Sequence, residues 1–206
     1  MLTGFRTSLK DGTPVLLRPV VPEDRDRFVV GMAQLSFDSR YFRFFTPQRC
    51  LSREQLRYFT EVDQRNHVAW VGIKATAADP CGLGTGRFVR RLDDASVAEF
   101  ALTVIDSCQR KGLGTLLMAV LCVVAGQQGV RFLEGVILPE NRTVINWLVR
   151  LDARLTFADG VWQARLPVSG PPAAPGGHAT ALRFRGAVDQ VRQWLEGRTS
   201  AVAACG

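Results

Sequence analysis

One acidic residue interrupts an apolar segment of the chain, and its position suggests acid–base chemistry. Glu99 lies in residues 97–105, whose other members are mostly apolar. If this segment is a strand, alternation places Glu99, Ala101 and Thr103 on one face. Because a carboxylate inside an apolar strand is unusual, we interpret Glu99 as a general base that removes a proton from an attacking group. A solvated strand carboxylate is the alternative.

A glycine-rich turn follows this segment and predicts an anion site. The turn is Gln109-Arg-Lys-Gly-Leu-Gly114, and an apolar, helix-like run comes directly after it. The first N–H groups of a helix have no helical partner, and the helix dipole adds partial positive charge there. Gly112 and Gly114 allow the backbone to approach a phosphate closely, and Arg110 and Lys111 add charge. An ordinary glycine-rich helix start is the alternative for the hexapeptide alone.

Two other nucleotide-binding motifs are excluded here by their spacing. A P-loop requires G-x-x-x-x-G-K-[ST], and a dinucleotide fold requires G-x-G-x-x-G. The turn at Gln109–Gly114 matches neither pattern. A second glycine-rich stretch, Gly82-Leu-Gly-Thr-Gly86, has no helix after it, and we interpret it as a turn that leads into a strand.

Composition limits the remaining functional classes. The 206 residues are 47% hydrophobic, which is enough for one domain, or for one domain and an appendage. The net charge of +7 comes from basic residues spread along the chain, so a nucleic-acid partner is not expected. The five cysteines form no C-x-x-C pair and the two histidines are far apart, so we expect neither disulfides nor a metal site.

The chain shows no sequence signal for a membrane. No run reaches the roughly 20 apolar residues of a membrane span, and the N-terminus lacks the apolar core of a signal peptide. We therefore expect a cytoplasmic protein with no membrane partner.

Periodicity and capping residues predict the elements that must position the glutamate and the turn. Residues 1–13 are interpreted as a polar lead-in. The helix that begins at Pro22 is expected to carry apolar Phe28, Val29, Met32 and Leu35 on one side. The predicted order after it is β-α-α-β-β-β-α-β-α-β-β, with strands at 15–20, 67–73, 83–91, 97–105, 132–138, 153–157 and 161–168, and helices beginning at Pro22, Ser52, Leu113 and Arg142. We expect residues 1–168 to form one domain, residues 169–179 a Pro/Gly/Ala linker, and residues 180–206 a helical appendage with its helix at 186–197.

Residues 13–168 resemble the GNAT N-acetyltransferases in their element order and in the Q-x-x-G-x-G turn after a glutamate-bearing strand. Within that family, Ser36-Phe-Asp-Ser-Arg-Tyr-Phe-Arg-Phe-Phe45 is similar to the S-x-x-S-x-Y-x-R-F-F signature of the bacterial Pat-type protein-lysine acetyltransferases. The resemblance implies an α/β (α+β) fold. It has a mixed, mostly antiparallel central sheet flanked by helices, with a V-shaped opening for acetyl-CoA.

The resemblance also implies a set of site residues, with acetyl-CoA as cosubstrate and no metal. Glu99 is the catalytic base. Asn141 contacts coenzyme A near its thiol, with helix N-capping as the alternative. The other expected coenzyme-binding residues are Leu102, Thr103, Val104, Gln109, Arg110, Lys111, Gly112, Leu113, Gly114 and Thr115.

The acceptor implied by the resemblance is a protein lysine, for example on an acyl-CoA synthetase. A small amine and a non-catalytic acyl-CoA sensor are the alternatives, and a monomer or a homodimer is expected. The aromatic and basic stretch at Ser39–Phe45 suits a protein contact, with Arg40 and Arg43 available to pair with acids beside the target lysine. Many relatives carry a tyrosine in or just after the helix that begins at Arg142, where it reprotonates the leaving thiolate. The only tyrosines of this chain, Tyr41 and Tyr58, lie far before that helix, so the general acid is unassigned.

Overall fold

A single eight-stranded sheet organises the molecule. The computed structural model describes residues 4–76, 82–169 and 179–203. The strands lie in the order β1-β2-β3-β4-β5-β6-β8-β7, and every neighbouring pair is antiparallel except β5 and β6. Their bounds are β1 Phe5–Ser8, β2 Pro14–Pro19, β3 His67–Lys74, β4 Gly82–Arg90, β5 Val97–Val104, β6 Phe132–Ile137, β7 Arg154–Ala158 and β8 Val161–Pro167. This confirms the predicted fold class.

Six α-helices cover the described sheet, and capping side chains fix several of their ends. The Ser52 hydroxyl accepts a hydrogen bond from Gln55 N, and the Gln55 side chain accepts one from Ser52 N, which is a capping box. The Ser36 hydroxyl caps another helix by accepting from Ser39 N. The bounds are α1 Arg25–Ala33, α2 Phe37–Phe44, α3 Arg53–Thr60, α4 Leu113–Gln127, α5 Arg142–Arg150 and α6 Ala179–Ala203.

The central helix α4 packs closely against one face of the sheet because glycines in β4 leave room for it. A Cβ atom on Gly84 would lie 3.2 Å from the Leu113 side chain, and one on Gly86 would lie 3.3 Å from that of Leu117. Both leucines are fully buried. The stretch 82–86 is therefore part of a strand, and its interpretation as a turn was wrong. Its glycines serve helix–sheet packing.

The helices α1, α2 and α3 cover the opposite face, and a buried ion pair joins the first of them to the sheet. Arg18 on β2 binds Asp24, at the start of α1, through two hydrogen bonds of 2.7 and 2.6 Å. Asp24 also accepts hydrogen bonds from Val21 N and Arg27 Nη1. Both partners of the main pair are almost completely buried, so each charge depends on the other for compensation.

The C-terminal helix α6 packs against α4 and contributes to the same core as the sheet. Phe184 and Val191 are fully buried, and the Trp194 ring lies 6.0 Å from Phe5 and 6.2 Å from Trp70. The helix extends beyond the predicted 186–197. Most of the expected linker, residues 170–178, lies outside the described residues, and the division into domains stays a prediction.

Two elements were missed in the sequence, and one helical face was misassigned. The polar lead-in contains β1, an edge strand whose residues carry no clear alternation. The segment after Ser36 forms the separate helix α2. Val29, expected on the packed side of α1, is 51% exposed, whereas Met32 and Leu35 are buried as expected. None of the helices in the described part of the chain is long and apolar enough to cross a membrane.

Candidate active site

The two parallel strands separate shortly after they begin to pair, and this opens the sheet. Strands β5 and β6 pair only through Val97–Phe132, Ala98–Leu133 and Glu99–Glu134. Beyond Glu99, β5 continues to Val104 without a partner on this side. The backbone groups of residues 100–103 that point into the gap are therefore free, among the described residues, to bind an extended ligand as an additional strand would, whereas Val104 O already accepts from Gln109 Nε2.

A cleft of about 660 Å³ passes through this gap and is bordered from both faces of the sheet. Asn141, Val144 and Trp147 on or beside α5 line one side, and Phe42 and Phe45 on or beside α2 line the other. Two ligands that enter from opposite faces therefore meet at the point where the strands separate.

The register of four strands places a row of charged residues along one face of this cleft. Glu99 on β5 pairs with Glu134 on β6, which pairs with Arg165 on β8, which pairs with Arg154 on β7. Directly paired residues in a sheet project from the same face. All four residues line the cleft. Glu134, Arg154 and Arg165 were not predicted as site residues, because no local pattern marks them.

The two glutamates in this row differ in their partners. Glu134 accepts from Arg165 Nη1 at 2.9 Å and from Arg91 Nη1 at 3.2 Å. Glu99 is exposed and forms no ion pair with any described residue. Of the two carboxylates, Glu99 is consequently the one without an ion-pair partner in the described part of the chain.

The turn at the far end of β5 has the backbone conformation expected of an anion site. Gly112 has a φ of +101°, which strongly favours glycine, and Arg110 has a φ of +60°. The N–H groups of Leu113, Gly114 and Thr115 have no backbone acceptor among the described residues, whereas Leu116 N already donates to Gly112 O. A Cβ on Gly114 would meet only Val104, at 4.0 Å, so the approach to these N–H groups is open.

The charged side chains of this turn are less available than its backbone. Lys111 Nζ lies 2.9 Å from Asp11 Oδ2, and this contact raises the pKa of Lys111 and lowers that of Asp11 to about 2. Arg110 is exposed and has no ion pair within the described residues. Arg110 therefore has the freer charge at the mouth of the turn.

Gln109 holds the turn in place through a network that includes α2. Its Nε2 donates to Val104 O, to Asp106 Oδ1 and to Ser39 Oγ at 3.1–3.2 Å. Asp106 in turn accepts from Ser39 Oγ at 2.7 Å and from Ser36 N at 3.1 Å. Burial alone would raise the pKa of Asp106, but the bonds from Ser36 and Ser39 lower it below its usual value. The two serines of the S-x-x-S signature thus connect α2 to the anion site.

The remaining expected residues are divided between the cleft and neighbouring contacts. Asn141 lines the cleft and also caps α5, because its Oδ1 accepts from Val144 N at 3.3 Å. Thr115 Oγ1 accepts from Trp147 Nε1 at 3.2 Å, which joins the start of α4 to the cleft wall. Leu102 lines the cleft, whereas Thr103 faces a smaller cavity under α1, α2 and α3.

The side chains expected to face an acceptor have other partners in the fold. Arg40 Nη1 donates to Leu35 O at 2.8 Å, and the Arg43 guanidinium lies over the rings of Phe44 and Phe59. Tyr41 stacks on Phe37 at 6.3 Å and is not among the residues that line the cleft. These contacts make Arg40 and Arg43 poor candidates for surface docking.

Comparisons with known proteins agree with this geometry. Residues 15–154 match the acetyltransferase (GNAT) domain family. The chain is 34% identical over 152 residues to the acetyltransferase Pat of Mycolicibacterium smegmatis, a match that covers 74% of this chain and 45% of that protein. It is 31% identical over 137 residues to an acetyltransferase of Pseudomonas aeruginosa, covering 66% of this chain and 73% of that protein.

Solved structures extend the comparison. The GNAT domain of S. lividans PAT superposes with a TM-score of 0.73 at 26% identity, covering 80% of this chain and 96% of that one. A cAMP-binding acyltransferase from Mycobacterium smegmatis gives a TM-score of 0.58 at 29% identity, covering 93% of this chain and 55% of that one. The chain thus spans about half the length of its mycobacterial relatives. From its family match, its fold and the site geometry, this chain belongs to the GNAT acetyltransferases.

Proposed function

We propose that the protein transfers the acetyl group of acetyl-CoA to the ε-amine of a protein lysine, with Glu99 as the general base. The observation that carries the proposal is the separation of β5 from β6 directly after Glu99. This separation supports the proposal, because an extended ligand along β5 could then meet a second ligand from the α2 side next to Glu99.

The residues present fit coenzyme A at two places. The open N–H groups of residues 113–115 suit a pyrophosphate, and the left-handed Gly112 keeps Cβ atoms away from it. The unpaired edge of β5 suits the amides of a pantetheine arm, with Asn141 and Trp147 on the opposite wall. Acetyl-CoA supplies the acetyl thioester when bound.

The chemical task of the chain's own residues is to move one proton and to hold the acceptor. A lysine amine is mostly protonated at neutral pH and cannot attack until a base removes a proton. The Glu99 carboxylate accepts that proton, directly or through one water. Glu134 is held beside Glu99 by its ion pairs with Arg91 and Arg165, which suits it to positioning.

Charge on the acceptor side favours a protein over a free polycation. The cleft is wide, and Arg91, Arg154 and Arg165 line it together with Glu99 and Glu134. A polyamine would meet these arginines unfavourably, whereas a lysine flanked by acidic residues would match both signs. The similarity to the Pat-type enzymes adds an acyl-CoA synthetase as a specific acceptor to test.

The deciding experiment compares Glu99→Gln with Glu134→Gln. Mass spectrometry would follow acetyl transfer from acetyl-CoA to an acyl-CoA synthetase and, separately, to pooled small amines. We expect Glu99→Gln to lower kcat by about 10²-fold or more, with partial recovery at high pH and unchanged acetyl-CoA affinity. Glu134→Gln should cost less than this, because its ion pairs suit it to positioning.

Three results would redirect the assignment. A larger kcat loss for Glu134→Gln would make Glu134 the base. Efficient transfer to small amines alone would replace the protein acceptor with a small one. Binding of acetyl-CoA without transfer to any amine would indicate an acyl-CoA sensor.

A further inference from the structure

A second cavity, of about 60 Å³, lies between the sheet and the helices α1, α2 and α3. Its walls are mostly apolar, with Phe28, Met32 and Leu51 among them. Three arginines also line it: Arg27, which pairs with Asp24, Arg43 from α2 and Arg87 from β4. Arg43 borders the large cleft as well, so the two cavities adjoin at this residue.

Arg87 is a buried cation that pairs with no acidic side chain in the described part of the chain. The residue is only 4% exposed. Its Nη1 lies 3.0 Å from His67 Nε2 and its Nη2 donates to Phe59 O at 3.3 Å, while the guanidinium lies 4.4 Å from the Phe59 ring centre. Burial is the main cause, and the charge of Arg87 the second, that lowers the pKa of His67 to about 4. The imidazole is therefore neutral at pH 7 and offers no compensating charge.

Arg43 adds a second positive charge close to the first. Its guanidinium lies 5.1 Å from the Phe44 ring centre and 5.8 Å from that of Phe59, the ring that Arg87 also covers. Burial and the charge of Arg43 lower the pKa of Arg87 to about 9. An arginine side chain keeps its proton at neutral pH, so both groups are cationic at pH 7. Neither forms an ion pair with any residue that the structure describes.

Arg18, the other deeply buried arginine in the described part of the chain, has the acidic partner that Arg87 lacks there. Arg18, 2% exposed, is matched by the fully buried Asp24. A buried charge without a counterion carries a large desolvation cost, and two like charges add repulsion to it. An anion between Arg43 and Arg87 would relieve both effects, and the guanidinium fork matches a carboxylate in geometry.

We propose that this cavity binds a small carboxylate with a short apolar body, its oxygens held by Arg43 and Arg87. The aromatic and aliphatic walls accept the apolar part. The volume admits only a few non-hydrogen atoms, because a single water already requires roughly 10–15 Å³ measured in this way. This site is distinct from the coenzyme cleft and does not depend on acetyl transfer.

The test uses propionate as the probe and the arginine side-chain Nε–Hε NMR signals of the full chain as the readout. We expect saturable shifts of the Arg43 and Arg87 signals with propionate, and no shift with propionamide, which has the same shape and no charge. Chloride at equal ionic strength should shift these signals less, because it offers no carboxylate fork and no apolar body. No saturable shift, or an equal response to chloride, would overturn the proposal.

Two variants and one control assign the site. Arg43→Met and Arg87→Met each remove one cation and keep most of the apolar volume. Each variant, once circular dichroism shows it to be folded, should weaken propionate binding at least tenfold. Arg57→Met, which removes an exposed arginine on α3 that pairs with Glu61, should bind propionate as the natural chain does. Full binding by both folded cavity variants would contradict the assignment.

Discussion

Replacing Asp106 with asparagine should weaken the connection between α2 and the turn at Gln109–Gly114, while the residues of the turn itself stay unchanged. The carboxylate accepts hydrogen bonds from Ser36 N, Ser39 Oγ and Gln109 Nε2. A hydrogen bond to a charged group contributes about 1.5–3 kcal/mol when buried, and exposure reduces this severalfold. Asparagine keeps one carbonyl acceptor. We therefore expect a loss of about 1–2 kcal/mol in the free energy of unfolding, measured by denaturant titration.

The same change should weaken acetyl-CoA binding by about fivefold, and by no more than about 30-fold. These factors correspond to the same 1–2 kcal/mol if all of it is needed to hold the turn in its binding conformation. The bond from Gln109 Nε2 to Val104 O survives the change, so the lower figure is expected. Isothermal titration calorimetry with acetyl-CoA measures the effect directly.

The dependence of the free energy of unfolding on pH provides an independent test of the hydrogen bonds to Asp106. Its pKa in the folded state lies below the unfolded value of about 3.9, so its stabilising contribution is present above that value and is lost as the pH falls through the folded pKa.

Asp94→Asn is the matched control for both measurements, because Asp94 accepts two hydrogen bonds from Ser96 in a different turn from that at Gln109–Gly114. Equal acetyl-CoA affinity in both variants and the natural chain would refute the proposed role of the network.

Two further variants and one labelling experiment test other parts of the structure. Asp24→Asn leaves the buried Arg18 uncompensated and should lower the free energy of unfolding by about 3–5 kcal/mol. This loss should shrink as the pH falls through the depressed pKa of Asp24. A loss below about 1 kcal/mol would contradict the buried pair. Gly112→Ala imposes a Cβ on a left-handed residue and should reduce the acetyl-CoA-induced rise in Tm, whereas an unchanged shift would show that this conformation is unnecessary. Burial raises the pKa of Cys122 to about 12, so a thiol reagent at neutral pH should label the exposed Cys50 rapidly and Cys122 only on unfolding, as peptide mass spectrometry would show.

Local signals in the sequence were sufficient for most elements and for two parts of the site. The capping box at Ser52, the apolar run after Gly112 and the alternation around Glu99 each depend on residues a few positions apart, and the structure confirms the corresponding helices and strand. The edge strand β1 lacks such a signal, and the local signal for the short helix α2 is the Ser36 cap, a residue type that also suits a turn. Each is stabilised mainly by what it packs against, β1 by pairing with β2 and α2 by the contacts of Ser39 and Arg43.

What the sequence by itself determined are the two local features on which the proposed chemistry rests. One is a carboxylate in an apolar strand, and the other is a set of glycines before a helix whose first N–H groups have no backbone acceptor among the described residues. Only the tertiary structure decided which residues share the cleft with that carboxylate. Glu134, Arg165 and Arg154 join Glu99 through the register of β5, β6, β8 and β7, over a sequence separation of up to 66 residues, from Glu99 to Arg165. Register is set by hydrogen bonding between strands and by packing of the whole sheet, so no window of neighbouring residues contains it.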